Sequence, residues 1–106
     1  MQSKYHCGVG GEKKVASKLK RMGASWVEIS PGSRGAADVI AVFPTGRKLA
    51  VQVKTSCSGG TPKSLSDYEK KRLLKMANDT GYTPVAAKVG NGRIDLSYLR
   101  TGRKVV

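Results

Sequence analysis

The chain predicts an α/β fold: a central mixed five-stranded sheet flanked by helices, in the order α-β-β-β-α-β-β. Three observations lead there. One stretch repeats apolar residues at helical spacing and a second opens on a capping-box spacing, several short runs are rich in β-branched residues, and Gly/Pro/Asn turns punctuate those runs. The 106 residues amount to one domain, read as a single unit over 1–106 with 1–9 and 100–106 as flexible ends.

Each element has its own signal. Gly10-Gly11 opens a helix running to about Met22, with Val15, Ala16, Leu19 and Met22 on one stripe and lysines opposite. Gly23 closes it. Trp26 to Ser30 is β-rich and ends at the Pro31-Gly32 turn. Ala37 to Phe43 reads as a strand, Pro44 to Arg47 as a hairpin turn, and Leu49 to Thr55 as the antiparallel partner. A Gly/Ser/Pro loop covers Ser56 to Lys63. Ser66 then precedes Glu69 by three residues, the spacing of a capping box, and starts a second helix to about Asn78. Thr83 to Val89, a Gly90-Asn91-Gly92 turn and Arg93 to Tyr98 make the last hairpin. Trp26, Phe43, Leu73 and Met76 are expected in the core, and core packing is the reading for Tyr68 as well.

Charge narrows the partners. Twenty Lys+Arg against 7 Asp+Glu leave a net charge of +13, which predicts a polyanionic partner: DNA, RNA or an anionic membrane surface. The bases are spread along the chain, so a folded basic face is expected, not a disordered arm. No apolar run approaches the ~18–20 residues of a membrane span. The N-terminus turns charged before an apolar h-region develops, so no secretory signal is read there. Cys7 and Cys57 form no CxxC and the single histidine leaves no zinc pattern; both cysteines read as free thiols of a reducing, cytoplasmic compartment, with pairing between them left open.

One group of residues carries chemistry. Gln52 and Lys54 project from one face of the third strand, with Asp38 on the strand before it. Glu12 lies on the apolar stripe of the first helix, among Ala16 and Leu19 and away from the lysines. Glu12, Asp38, Gln52 and Lys54 are therefore expected at one edge of the sheet. Carboxylate and amide oxygens suit a hard cation such as Mg²⁺, and a lysine beside it can orient an attacking water or stabilise charge on a phosphoryl transition state. An ordinary Lys–Asp ion pair between strands accounts for the spacing equally well; four inward polar groups on a basic chain favour a site.

Gly11-Glu12, then Gly32-Ser33-Arg34-Gly35-Ala36-Ala37-Asp38-Val39-Ile40-Ala41, then Ala50-Val51-Gln52-Val53-Lys54-Thr55 resemble the archaeal-type Holliday junction resolvases, of the PD-(D/E)xK superfamily of restriction endonuclease-like nucleases. The resemblance spans about Gly10 to Tyr98. It implies a Mg²⁺-dependent endonuclease, with Mn²⁺ as an alternative ion, that works as a homodimer and cuts one strand of a four-way DNA junction per subunit. It implies Asp38 as central metal ligand, Gln52 where the family usually has glutamate, Lys54 as the motif lysine, the Val53 carbonyl in the metal shell, and Glu12 as a direct or water-mediated ligand. Ser33 and Arg34 would meet phosphate. The basic helix face of Lys13, Lys14, Lys18 and Arg21, with Lys63 of the loop, is the expected DNA-binding surface. No small-molecule substrate and no membrane partner are expected. Gln52 removes one negative charge from the site. Related nucleases of the Mrr type also use glutamine there, so an Mrr-like duplex nuclease and an inactive DNA-binding module stand as alternatives.

Overall fold

The computed structural model describes residues 4–29, 37–56, 65–90 and 93–105, with the side chains of 4–10 excepted. Its elements are α1 (Lys4–Arg21), β1 (Trp26–Ile29), β2 (Val39–Val42), β3 (Lys48–Thr55), α2 (Asp67–Thr80), β4 (Thr83–Gly90) and β5 (Arg93–Tyr98). The strands lie in sequence order in one sheet, antiparallel throughout except that β3 and β4 run parallel. A parallel pair needs a crossover connection, and α2 supplies it. The β2–β3 hairpin is closed by the Phe43 N–H donating to the Arg47 carbonyl at 2.8 Å.

Strand alternation divides the core in two. Leu49, Val51 and Val53 face α1, where they pack with Val15, Ala16 and Leu19 of the helix and with Val39, Ala41, Val85, Ala87 and Val89 of the sheet. Ala50 faces the other way, into a smaller cluster with Ala37, Leu65 and Leu73 under α2. Burying one stripe of each helix on opposite faces makes a three-layer sandwich. Helix α2 starts on a complete capping box: the Glu69 N–H donates to Ser66 Oγ at 3.2 Å and the Ser66 N–H to Glu69 Oε1 at 3.1 Å. It ends at Gly81, whose φ of 79° is left-handed and whose N–H donates to the Ala77 carbonyl.

Several expectations are corrected. Helix α1 begins at Lys4, not at Gly10, so Gly10 and Gly11 lie inside it. Glycine inside a helix costs about 1 kcal/mol relative to alanine, which is why a pair of them reads as a boundary. Residues 4–9 are therefore helical. At the other terminus Lys104 bridges Ser97, and buried Val105 donates its N–H to the Leu96 carbonyl at 2.9 Å. Residues 100–105 thus fold back onto β5. Trp26 is 62% exposed and Tyr68 69% exposed, neither in the core, because β1 is an edge strand and Tyr68 sits on the solvent face of α2. Leu73 is fully buried, as expected, while Phe43 and Met76 pack partly buried against the two clusters.

Candidate active site

The site grows from an irregularity at the start of β2. Asp38 donates its N–H to the Val51 carbonyl at 2.8 Å, while the register sets Val39 opposite the same Val51. Two residues against one is the count of a β-bulge, and it changes the side to which the chain faces. Ala37 accordingly packs under α2 and Val39 under α1, although residues two apart in a regular strand share a face. Between them, the Asp38 carboxylate takes the place of a longer β2. Its Oδ2 accepts the Val53 N–H at 2.9 Å and Gln52 Nε2 at 2.8 Å. The N–H and C=O of a strand residue point the same way, so the Val53 carbonyl also opens toward the gap that β2 leaves.

The helices bring further groups from both layers. A Cβ on Gly11 would lie 2.0 Å from Thr55 Oγ1, so only glycine lets α1 pass this close to the end of β3. That approach brings half-buried Glu12 near enough for the Asp38 charge to act on it. On the opposite layer, Lys54 Nζ pairs with Glu69 Oε2 of α2 at 2.6 Å. Glu69 is the residue that sequence reading missed. Its mark in the sequence is the capping box, and nothing local announces its second contact 15 positions from Lys54.

Electrostatics set the three carboxylates apart. Burial pushes the Asp38 carboxyl up; the Val53 N–H and the Lys54 charge pull it back, the Glu69 charge raises it further, and the net position is above the ordinary range. Asp38 is only 7% exposed. Glu12 is raised too, by burial first and by the Asp38 charge second. Burial also pushes Glu69 up, but the hydrogen bonds from Lys54 and Ser66, with the Lys54 charge, outweigh it and hold Glu69 below the ordinary range.

The structure thus brings Asp38, Gln52 and Val53 into direct contact, with Glu12 and Lys54 close enough to act electrostatically on Asp38 or be acted on by it. The ordinary Lys54–Asp38 ion pair weighed as the alternative does not form; Lys54 pairs with Glu69 instead. Lys13, Lys14 and Arg21 are exposed on α1 and Lys18 is half-exposed, a basic face on the same helix as Glu12. Ser33, Arg34 and Lys63 lie outside the described residues. Among the described residues, no three His, Cys, Asp or Glu side chains gather closely enough to hold an ion by themselves. A cation there would need the mixed set of the Asp38 and Glu12 carboxylates, the Gln52 amide oxygen and the Val53 carbonyl. These are all hard oxygen donors, the ligand type that Mg²⁺ and Mn²⁺ take, so the donor chemistry fits such an ion.

No protein-family model matches the sequence, and no curated protein matches it. Among solved structures the chain is similar to Archaeoglobus fulgidus Hjc, a Holliday junction resolvase from an archaeal hyperthermophile. The TM-score is 0.73 and the identity 20%, covering 88% of this chain and 73% of that one. The likeness is one of fold, and it is the restriction endonuclease-like fold that the sequence motifs led us to expect. Among the described residues no helix is long and apolar enough to cross a membrane.

Proposed function

We propose that this chain is a divalent-metal-dependent endodeoxyribonuclease that resolves four-way DNA junctions as a homodimer. The observation that carries the reading is the Asp38 carboxylate, buried at the broken end of β2 against Gln52 and Val53 and raised by its burial, on the fold of a junction resolvase. The net charge of +13 supports a DNA substrate through phosphate contacts. Paired cuts across a junction need two such sites, which a homodimer supplies.

In this reading Asp38, Glu12, the Val53 carbonyl and the Gln52 amide oxygen would hold the ion, which when bound would supply Lewis-acid polarisation of a phosphate and a more acidic coordinated water. Gln52 now donates through Nε2 to Asp38, so ion binding requires its amide to present Oε1 instead. Lys54 is an ammonium with three N–H donors, one of them engaged by Glu69. Those that remain can donate toward charge developing on the phosphate, the form of stabilisation that works best from a fixed donor. The exposed lysines of α1 position the backbone without reading sequence.

The Gln52–Asp38 hydrogen bond also favours a second reading. A site that satisfies its own carboxylate through a neutral amide has less need of a cation, as in a DNA-binding module without catalysis. One assay separates them. The protein is incubated with end-labelled four-way junction and matched linear duplex in Mg²⁺ and in Mn²⁺, beside Lys54→Ala. Paired symmetric nicks in the junction alone, absent in the variant, are the expected result. Cutting of linear duplex would mean an Mrr-like nuclease, and tight junction binding with no cutting in either metal would mean the binding module.

A further inference from the structure

We propose that Glu69 is the positioning residue of Lys54, anchoring the site lysine to the N-terminal cap of α2. The proposal rests on the nuclease reading above for its catalytic consequence and on geometry for the rest. Both oxygens of the Glu69 carboxylate are committed: Oε1 accepts the Ser66 N–H at 3.1 Å and Oε2 meets Lys54 Nζ at 2.6 Å. The Glu69 N–H returns to Ser66 Oγ at 3.2 Å, so the residue is held at its backbone and at its tip. Rotation of the carboxylate breaks either the cap or the ion pair. The ion-paired side chains retain 33% and 27% of their exposure, which excludes much of the competing water.

A lysine needs such a holder more than other site residues do. Its ammonium sits on a flexible four-carbon stem with high rotamer entropy, a compact point charge without a geometry of its own. Asp38, Gln52 and Val53 are fixed by the strand backbone and by each other. Lys54, on the same strand, has its tip fixed by α2, the other layer of the sandwich. Glu69 does not replace the carboxylate missing at position 52 as an ion ligand, since it is occupied by the cap and the lysine. It acts through Lys54. The low position of the Glu69 carboxyl agrees, since it keeps the anchor ionised wherever the enzyme would work.

The capping box permits a clean separation of the two roles. Glutamine also serves at the third position of such a box, so Glu69→Gln keeps an oxygen for the Ser66 N–H and removes the charge that holds Lys54. Ser66→Ala removes the cap acceptor and leaves the Glu69 carboxylate in place. The test measures kcat and KM on four-way junction, thermal unfolding, and the mobility of the Lys54 side chain by ¹⁵N NMR of its Nζ group. For Glu69→Gln, kcat is expected to fall about 10- to 100-fold with KM within about twofold, as for a misplaced catalytic group. Its Tm should stay within about 2 °C of wild type, and Lys54 should become mobile. For Ser66→Ala, Tm should fall by about 4–8 °C while kcat stays within about threefold. Wild-type kcat in Glu69→Gln, or an equal loss of kcat in both variants, would overturn the proposal. If the wild type cuts no DNA, the nuclease reading fails, yet the NMR measurement still decides: Lys54 equally rigid in wild type and Glu69→Gln overturns the anchoring.

Discussion

Asp38 is a carboxylate that the fold buries beside an amide and a backbone N–H, while the ammonium on its neighbouring strand pairs with Glu69 instead. Its Oδ2 takes both of those hydrogen bonds, and its carboxyl is raised chiefly by burial. The charged form is therefore a cost to the folded state at neutral pH. Asp38→Asn keeps an oxygen to accept the Val53 N–H and removes that cost, so Tm at pH 7 should rise by a few degrees while cleavage is lost. Differential scanning calorimetry beside the nicking assay checks both halves. The sign follows from the shift: a group with a raised folded pKa stabilises the protein as pH falls toward its unfolded value, so wild type should gain on mild acidification what the variant already has. Gln52→Glu is the complementary change. It sets a second carboxylate where the amide now donates 2.8 Å from Asp38, so like charges should lower Tm in EDTA. Added Mn²⁺ or Mg²⁺ should then raise Tm by more than in wild type, as a cation binding the folded state alone must.

Helix α1 meets the end of β3 through a contact that has room for no side chain at all. Gly11→Ala would force the new Cβ and Thr55 Oγ1, 2.0 Å apart, to separate, and overpacking of this kind costs ~1–3 kcal/mol. The displacement falls next to Glu12, so stability and metal response should suffer together. Thr55→Ala in the same chain removes Oγ1 and leaves Cβ at 3.1 Å, so the double variant should recover part of the lost Tm and none of it without the second change. Thermal melts of the two single variants and the double complete the cycle. A glycine pair read as a helix start is in this way a mid-helix position held by a tertiary contact. On the other layer, the Ser66–Glu69 box was legible because a cap is a relation over three residues.

The molecule carries +13 on 106 residues, and its exposed α1 lysines lie on the helix that bears Glu12. Junction affinity should consequently fall steeply with salt. With about six phosphate contacts, the dissociation constant should rise on the order of 10³-fold between about 50 and 200 mM NaCl, read by fluorescence anisotropy in Ca²⁺ or EDTA. A log–log slope near zero would mean that the basic face does not meet the phosphates. Lys13→Glu with Lys14→Glu should flatten that slope without changing Tm by more than about 2 °C, since both side chains are solvent-exposed.

Element order, turn chemistry, strand alternation and the basic helix face are relations between near neighbours in the chain, and the amino-acid sequence carries them unaided. It also carries Asp38, Gln52, Val53 and Lys54, because motif order along adjacent strands brings them together. The rest needed the third dimension. The bulge at Asp38 depends on which partner residue Val51 meets, and the need for glycine inside α1 depends on Thr55 standing across from Gly11. Trp26 and Tyr68 are apolar by composition and exposed by position, one on an edge strand and one on an outer helix face. Glu69 joins Lys54 only because the parallel crossover lays α2 over the face of β3 that Lys54 shares with Ala50. Local preference is a sum over a few residues, whereas a contact between layers depends on how the whole chain closes, and the site lies where both layers meet the broken end of one strand.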